Sequence, residues 1–414
     1  MLFFYRVLGY VALPLLLPFL LLHPKLRGRL GERFGFYAAL PAGAPRLWVH
    51  AASAGDVKAV LPLLGALRRR VPAATIVLTV TTSTGRAMAE KTRVPADAVL
   101  YAPIDTVGAA RRAVRRIRPD LLLLEYAELW PNLVLAARAS GARVALTDGR
   151  VSPRGLARAR LAAWLYRRVL GAMDLFLMRS VGDAERIEAL GAARERIAVT
   201  GNTKYDAPAP DAAEVDLLRG ALGLSRARPL VVLGNTHAGE EAAILPVYAR
   251  LRQEFAGLAC LVAPRYPDRC DEVAEQATRL GLRVARRTAG PVGEADVILL
   301  DTVGELAAAY GLGVAAFVGG SFTSRGGQNV LEPALHGVPV LYGPSTENFR
   351  EEVALLSGSG GVEVGDMEEL EGELRALLED PAGRAAIGRR AAERAHGLRG
   401  ASEENASRLA RLLP

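Results

Sequence analysis

Short apolar runs alternate with helix-like segments along most of the chain, and this alternation constrains the fold more than any other feature. A first series of apolar runs lies at residues 47–50, 75–80, 121–125, 143–146 and 175–178. A second series lies at residues 230–233, 259–262, 297–300, 314–318 and 338–341. Short Val, Leu and Ile runs separated by helices are typical of parallel strands that are buried on both faces. The pattern therefore predicts an α/β fold with parallel sheets.

A proline-rich break separates the two series of runs. The segment Ala207-Pro208-Ala209-Pro210-Asp211 has no apolar periodicity, and 414 residues are enough for two domains. We expect doubly wound, Rossmann-like domains that face each other across a cleft, with ligands at the carboxyl ends of the strands. The expected boundaries are 36–207 for the first domain, 208–225 for a linker, 226–390 for the second domain and 391–414 for a C-terminal helix.

The N-terminus predicts a hydrophobic membrane anchor with a basic flank over residues 1–35. Residues 7–22 are nearly all apolar, although Pro14 and Pro18 interrupt them, and no small-residue cleavage site follows. The basic residues that come next, among them Arg29 and Arg33, favour a cytoplasmic location for this side of the anchor. A full span needs about 20 residues, so both a spanning and a monotopic anchor agree with the pattern.

Basic residues exceed acidic ones and cluster in one segment. The formal net charge is +8, and six arginines between residues 150 and 168 are interspersed with leucines and Trp164. This basic amphipathic pattern suits an anionic membrane surface or a phosphorylated acceptor, and a solvated helix face explains it equally well. No RNA- or DNA-binding motif accompanies the charge, which argues against nucleic acid as a partner.

Two cysteines, Cys260 and Cys270, are the whole cysteine content of the chain. Neither stands in a metal-ligand spacing, so we expect no metal site and no disulfide framework. A reducing, cytosolic setting fits this usage.

A glycine-rich turn enters a predicted helix at residues 326–333. Gly326 and Gly327 precede Asn329 and Glu332, and the turn follows the apolar run at 314–318. Backbone N–H groups at such a helix start can face an anion. A carboxylate in the first helical turn can accept hydrogen bonds from sugar hydroxyls. The combination predicts a nucleotide-sugar pocket.

Seven motifs occur in order along the chain. They lie at residues 31–35 (GERFG), 48–56 (WVHAASAGD), 128–133 (ELWPNL), 200–206 (TGNTKYD), 236–241 (THAGEE), 263–267 (APRYP) and 326–333 (GGQNVLEP). Each motif is weak alone, but in this order they resemble the bacterial 3-deoxy-D-manno-oct-2-ulosonic acid (Kdo) transferases. The resemblance covers nearly the whole chain.

The resemblance implies an inverting, metal-independent glycosyltransferase of the GT-B architecture that uses no cofactor. The donor would be CMP-Kdo and the acceptor a lipid A precursor, as in lipopolysaccharide biosynthesis. The N-terminal half would bind the acceptor, and the C-terminal half the donor. With the predicted anchor, the enzyme is expected on the cytoplasmic side of the cell inner membrane.

Asp56 is the expected general base, because the acceptor hydroxyl must lose a proton as it attacks. Ser53 and Asp56 also match a helix capping box, and the two roles are compatible. His50, on the strand that leads to Asp56, is expected to be buried and structural. The expected acceptor-binding residues are Ser53, Gly55, Glu125, Glu128 and Arg150.

Arg265 follows a predicted strand and could clamp the donor phosphate or the Kdo carboxylate in bidentate fashion. Lys204, just before the linker, either contacts the donor phosphate across the cleft or is merely solvated. The expected donor-binding residues are Lys204, Thr236, His237, Pro264, Arg265, Val303, Gly304, Glu305, Asn329, Val330, Leu331 and Glu332.

The chain departs from the family pattern at two acceptor-side positions. Asp56 stands where the family has glutamate, and Tyr126 stands where the family usually has a second glutamate. Glu125 lies one residue earlier, so either a local bulge brings it into the cleft or the acceptor site is altered. These departures keep two alternatives open, namely a diverged glycosyltransferase with another donor or lipid acceptor and a non-catalytic sugar-nucleotide binding protein.

Overall fold

The computed structural model describes residues 2–23, 28–126, 129–160, 162–207 and 209–414. The chain forms two compact units. The first contains Met1–Ala207 and Leu398–Pro414, and the second contains Pro208–Gly397. Each unit is built around one sheet of seven strands.

All strand pairs in the first unit are parallel. The strands are β1 (Arg46–His50), β2 (Thr75–Val80), β3 (Ala98–Tyr101), β4 (Leu121–Glu125), β5 (Arg143–Gly149), β6 (Leu175–Met178) and β7 (Ile197–Val199). Their order is β3-β2-β1-β4-β5-β6-β7. The chain order reverses beside β1, and an open α/β sheet binds ligands at such a switch point.

Helices cover both faces of this sheet and bury alternate strand residues in two cores. Trp48, Val77 and Leu122 point into one core, while Val49 and Leu78 point into the other. The helices that precede the linker are α1 (Leu2–Leu22), α2 (Leu30–Arg33), α3 (Ala54–Arg70), α4 (Ser83–Lys91), α5 (Val107–Ile117), α6 (Pro131–Ala139), α7 (Pro153–Arg160), α8 (Ala163–Gly171) and α9 (Val181–Ala189).

The second unit repeats the plan with a second all-parallel sheet. Its strands are β8 (Leu230–Thr236), β9 (Ala259–Pro264), β10 (Val284–Arg286), β11 (Val297–Leu299), β12 (Ala315–Val318), β13 (Val340–Tyr342) and β14 (Gly361–Glu363), in the order β10-β11-β9-β8-β12-β13-β14. Its helices are α10 (Ala212–Leu222), α11 (Glu240–Glu254), α12 (Cys270–Arg279), α13 (Leu306–Tyr310), α14 (Leu331–Leu335), α15 (Arg350–Leu356), α16 (Met367–Glu379) and α17 (Pro381–His396). The prediction of an α/β fold with two parallel sheets is confirmed.

Two segments differ in detail from the sequence-based boundaries. The residues expected to form a linker contain helix α10, because Asp211 and Glu214 cap its start reciprocally. The residues expected to form one C-terminal helix include the end of α17 and a separate helix, α18 (Ala401–Ala410). Helix α18 belongs to the first unit, where Asn405 Nδ2 donates to Thr147 Oγ1 at 3.0 Å.

The apolar residues of the predicted anchor form helix α1, and hydrogen bonds join α1 to the rest of the first unit. The Tyr5 hydroxyl donates to Asp105 Oδ2 at 2.8 Å, and the Gly108 N–H donates to the Tyr10 hydroxyl at 2.9 Å. Several apolar side chains of α1 remain exposed, among them Phe4 and Val11. In the part of the chain that the structure describes, no helix combines the length and the apolar character needed to cross a membrane.

Asp296, the residue before β11, is bound by two arginines. Its carboxylate accepts hydrogen bonds from the Arg283 backbone and guanidinium, and Arg252 Nη2 lies 2.7 Å from Asp296 Oδ1. Although burial alone would raise the pKa of Asp296, these contacts lower it from 3.8 to about 2.

We expect Asp296→Asn to lower the free energy of unfolding by about 1–3 kcal/mol at pH 7, because a hydrogen-bonded charge is lost. The wild-type advantage is complete above the unfolded pKa near 3.8 and is lost as the pH falls towards 2. Denaturant unfolding between pH 2 and 7 measures both effects. A constant difference across this range would contradict the assignment.

Candidate functional site

The β1–α3 turn of the first unit holds the predicted base. The Ser53 N–H donates to Asp56 Oδ2 at 2.7 Å, and the Asp56 N–H donates to Ser53 Oγ at 3.4 Å. The capping box anticipated from the sequence is therefore present. Asp56 also stays half-exposed, so the cap fixes the orientation of its carboxylate without hiding it.

Gly55 lies in the first turn of α3 and is exposed. A Cβ atom there would meet Ser53 Oγ at 3.6 Å, an ordinary contact, so the turn itself does not require a glycine.

Glu125 and Asp148 form a buried carboxyl pair at the neighbouring strand ends. Glu125 ends β4 and pairs in register with Thr147, the residue before Asp148. Both acidic side chains are 0% exposed, and neither Glu125 oxygen has a hydrogen-bond partner among the described residues. Burial raises the pKa of Glu125 well above 4.5, and the charges of Asp148 and Asp56 add to this effect.

Asp148 has the closer cationic neighbours, although the Arg179 charge also acts on Glu125. Arg179 Nε lies 3.6 Å from Asp148 Oδ1, and Lys204 also lowers the pKa of this carboxyl. Burial outweighs both and raises the pKa of Asp148 to about 6. Neither Asp148 nor Arg179 was among the predicted site residues, although Asp148 follows an apolar run and so marks a strand end.

Glu125 does not reach the surface through a bulge. The pairing of β4 with β5 runs without a shift from Leu121 to Glu125, and the chain turns only at Tyr126, whose φ is +59°. An acceptor-binding role for Glu125 stays a prediction. Its buried side chain does not take the place of the glutamate that the family resemblance implies at the position of Tyr126.

The remaining acceptor-side predictions fall at different places. Arg150 is exposed directly after β5, while Glu128 lies outside the described residues. His50 is buried as expected, with its Nδ1 3.1 Å from Thr79 Oγ1. Burial lowers the pKa of His50 to about 4, so the ring is neutral at physiological pH and structural.

In the second unit, Thr236 is the last residue of β8 and His237 follows it. Both are buried, and neither Thr236 Oγ1 nor His237 Nε2 has a hydrogen-bond partner in the described chain. Burial lowers the pKa of His237, and the guanidinium charges of Arg325 and Arg265 act in the same direction. The two guanidinium groups beside this turn suit an anionic ligand.

Arg265 itself is exposed after β9, as predicted. Its N–H donates to Thr236 O at 2.9 Å, which fixes its backbone beside β8. Its guanidinium carbon lies 5.8 Å from the centre of the Tyr266 ring. Pro264, the last residue of β9, is buried and supports this position.

The carboxylate of Glu240 organises the loop that follows β12. Glu240 Oε2 accepts hydrogen bonds from the N–H groups of His237 and Gly320, both at 2.8 Å. Glu240 Oε1 accepts from the N–H groups of Ser321 and Phe322 at 3.1 and 3.0 Å. Four backbone donors on one buried carboxylate bind the loop to the His237 turn. Glu240 stands in the motif at residues 236–241, whose pattern predicted no role for it.

Asn329 and Glu332 come together at the start of α14. Asn329 Nδ2 donates to Glu332 Oε1 at 3.2 Å, and Asn329 Oδ1 accepts from the Leu331 N–H at 3.1 Å. Val330 and Leu331 are buried beneath them. Burial raises the pKa of Tyr310, and the charge of Glu332 adds to this effect. Because Tyr310 packs against Gly234 of β8, it links Glu332 to this strand.

The glycine turn before α14 does not present its first N–H groups to a ligand. Gly326 and Gly327 have φ values of +80° and +75°, which explains the glycines. The Gly326 N–H donates to Ser345 Oγ, and the Gly327 N–H donates to Gly320 O at 3.0 Å. The predicted anion contact therefore requires groups other than these two.

The predicted segment Val303–Glu305 stands before α13. Val303 is exposed, and Gly304 has a φ of +106°. Glu305 is held by Arg287 Nη2 at 3.1 Å and by the Thr302 hydroxyl. Among the described residues, no three His, Cys, Asp or Glu side chains are grouped so that they could hold a metal ion.

Comparison with known proteins gives consistent matches. Residues 28–207 match the family model described as 3-deoxy-D-manno-octulosonic-acid transferase (kdotransferase). The chain is 38% identical over 346 residues to a 3-deoxy-D-manno-octulosonic acid transferase of Bordetella pertussis, covering 79% of this chain and 77% of the relative. A transferase of the same name from Haemophilus influenzae is 32% identical over 398 residues, covering 93% and 92%.

The chain belongs to the Kdo transferase family. The resemblance found from the seven motifs is thus confirmed, and the protein is a glycosyltransferase. The fold is also similar to UDP-GlcNAc 2-epimerase from Neisseria meningitidis bound to UDP-GlcNAc. The TM-score is 0.63 at 14% identity, over 88% of this chain and 100% of that one. At this identity the likeness concerns the fold alone.

Glu125→Gln tests whether the buried carboxyl is neutral in this Kdo transferase. Because the folded state holds the Glu125 proton more tightly, wild-type stability falls as the pH rises above the unfolded value near 4.5. Glutamine does not ionise, so the variant should gain stability relative to wild type between pH 5 and 8. Unfolding free energies across this range measure the difference. Glu90→Gln is the matched exchange at an exposed carboxylate. Parallel curves for Glu125→Gln and wild type would refute the neutral state.

Glu240→Gln should loosen the loop after β12. The amide keeps one acceptor oxygen and leaves two buried N–H groups unpaired, which costs about 1–3 kcal/mol per group. We expect a several-fold higher KM for the donor together with lower thermal stability. Glu241→Gln is the matched control, since the adjacent buried Glu241 binds Arg269 at 2.7 Å and not the loop. An equal rise in donor KM for both variants would contradict a specific role for Glu240.

Proposed function

We propose that the protein transfers Kdo from CMP-Kdo to a lipid A precursor at the cytoplasmic face of the inner membrane. The transfer is inverting and metal-independent, and it needs no cofactor. Membership of the Kdo transferase family supports Kdo as the transferred sugar. The observation that carries the proposed chemistry is the oriented, half-exposed carboxylate of Asp56 at the strand-end edge of the first unit.

Asp56 acts as the general base in this proposal. The acceptor oxygen forms a bond to the anomeric carbon of Kdo as the bond from that carbon to the CMP phosphate oxygen breaks. The hydroxyl proton passes to Asp56, and the electron pair leaves with CMP. A single displacement of this kind inverts the anomeric centre. The shorter aspartate requires the acceptor hydroxyl to approach the α3 start more closely than a glutamate would.

The donor side supplies positive charge through guanidinium groups. Arg265 and Arg325 are exposed beside the His237 turn. Guanidinium groups bind phosphate and carboxylate in bidentate fashion, and CMP-Kdo carries both groups. Glu332 is assigned to hydroxyls of the ribose or the donor sugar. Lys204 is assigned to the donor phosphate, and its proximity to Asp148 leaves the alternative of a structural charge partner.

Membrane association is proposed through α1 and the arginine-rich helices. The exposed Phe4 and Val11 of α1 provide apolar surface. Arg154 of α7 and Arg167 of α8 are exposed and provide charge for anionic headgroups. The lipid acceptor would then meet the enzyme without leaving the bilayer surface.

Asp56→Asn separates the base from the helix cap, since asparagine can still accept the Ser53 N–H but cannot take the proton. We expect kcat for Kdo transfer to fall by roughly 10²–10⁴-fold with little change in stability. Glu214→Gln, the same exchange in the capping box of α10, should leave kcat unchanged. Labelled Kdo transfer from CMP-Kdo to lipid A precursor is the measurement.

Two outcomes would overturn parts of this proposal. Full turnover by Asp56→Asn would remove Asp56 as the base. Absence of transfer by the wild-type protein, with CMP binding retained, would leave another lipid acceptor or a non-catalytic binding role.

A further inference from the structure

A small apolar cavity lies in the first unit between α1 and α8. Its volume is about 230 Å³, and its walls include Tyr5, Leu129, Pro131, Leu165 and Val169. Tyr5 and Tyr166 contribute the only hydroxyls among the lining residues, and the Tyr5 hydroxyl is bound to Asp105 Oδ2 at 2.8 Å. Such a lining favours hydrocarbon over sugar or phosphate.

The cavity is connected, through Trp130, to the strand that leads to the proposed base. Leu129 and Pro131 flank Trp130, whose ring meets His50 edge-on at a centroid distance of 6.2 Å. His50 ends β1, and the chain then runs directly to the capping box of α3. A ligand that filled the cavity would therefore be held beside the acceptor side of the proposed reaction.

The surface around the cavity combines apolar and cationic groups. On α8, Trp164 is 37% exposed one position before Leu165, and Phe4 is 71% exposed one position before Tyr5. Arg167 and Arg168, also on α8, are exposed and form no ion pair within the described chain. Hydrocarbon beside unpaired guanidinium groups complements a molecule that is both acylated and phosphorylated.

The volume of the cavity limits which apolar groups can fill it. A volume of about 230 Å³ is below the roughly 300–1,000 Å³ of pockets that enclose a whole small molecule. It is also too small for the face of a partner helix, which needs an extended groove. The terminal part of a flexible hydrocarbon chain fits this description.

We propose that this cavity binds one acyl chain of the lipid acceptor and so helps to select acylated acceptors. The proposal rests on the proposed function, because it assumes that the first unit binds a lipid acceptor. The bound chain fixes the distance between the membrane-embedded part of the acceptor and the hydroxyl presented to Asp56.

Leu165→Trp tests the proposal by filling the cavity. We expect the KM for an acylated, phosphorylated disaccharide acceptor in detergent micelles to rise by about tenfold, with kcat and the donor KM unchanged. The same disaccharide without acyl chains should be used equally by wild type and variant. Ala162→Leu, which fills the same cavity from a second position, should raise the acylated-acceptor KM in the same direction and to a similar extent.

The matched control is Leu217→Trp, the same exchange at a leucine that is 74% exposed on α10. It should leave the KM for both acceptors unchanged. Equal losses with acylated and deacylated acceptors, or no loss with either, would overturn the acyl site. If Leu165→Trp weakened binding to phosphatidylglycerol vesicles that contain no acceptor by the same factor, the cavity would bind a bilayer lipid and the acyl site would be overturned. Absence of Kdo transfer by wild type to either acceptor would instead refute the proposed function.

Discussion

Parallel pairing of strands is the constraint on which the rest of the structure depends. In each unit, seven strands run the same way, so all their carboxyl ends meet at one edge. The capping box of α3, the Glu125–Asp148 pair and the His237 turn all occupy such ends. Residues far apart in the chain become neighbours there without long loops to position them.

Buried carboxylates serve different purposes at the two edges. Glu240 satisfies four backbone donors and thereby holds a loop in place. Glu125 has no such donors among the described residues, and its environment favours the neutral acid. Asp56 lies between these cases, because one backbone donor orients it while its side chain stays half-exposed. The three carboxyl groups thus differ in how many backbone N–H groups they bind: four for Glu240, one for Asp56 and none among the described residues for Glu125.

The sequence predicted local features well. The long apolar runs became strands, and Ser53 with Asp56 formed the expected capping box. The strands that the apolar pattern missed are β3, β7, β10 and β14, which have only three or four residues each and lie at or beside the sheet edges. These four edge strands bury their side chains only in part, so they lack the fully buried apolar run that reveals an equally short inner strand such as β11.

The non-local parts of the site could not be predicted in the same way. The pairing of Glu125 with Asp148 depends on the register of β4 against β5, which no local pattern encodes. The bonds from Gly320, Ser321 and Phe322 to Glu240 join residues about eighty positions apart in the chain. The motifs pointed to the loop before α14, but only the folded structure reveals that Gly326 and Gly327 use their N–H groups internally.

The return of α18 to the first unit has a consequence for how the chain folds. Since Ala406 and Leu409 complete one of the two cores around the first sheet, the second unit is in effect an insertion within the first. During synthesis from the N-terminus, the first sheet can form early, but its core stays open until α18 leaves the ribosome. The second unit is continuous in sequence, so its core can close as soon as its own residues have been synthesised. The order of completion is therefore the reverse of the order of synthesis.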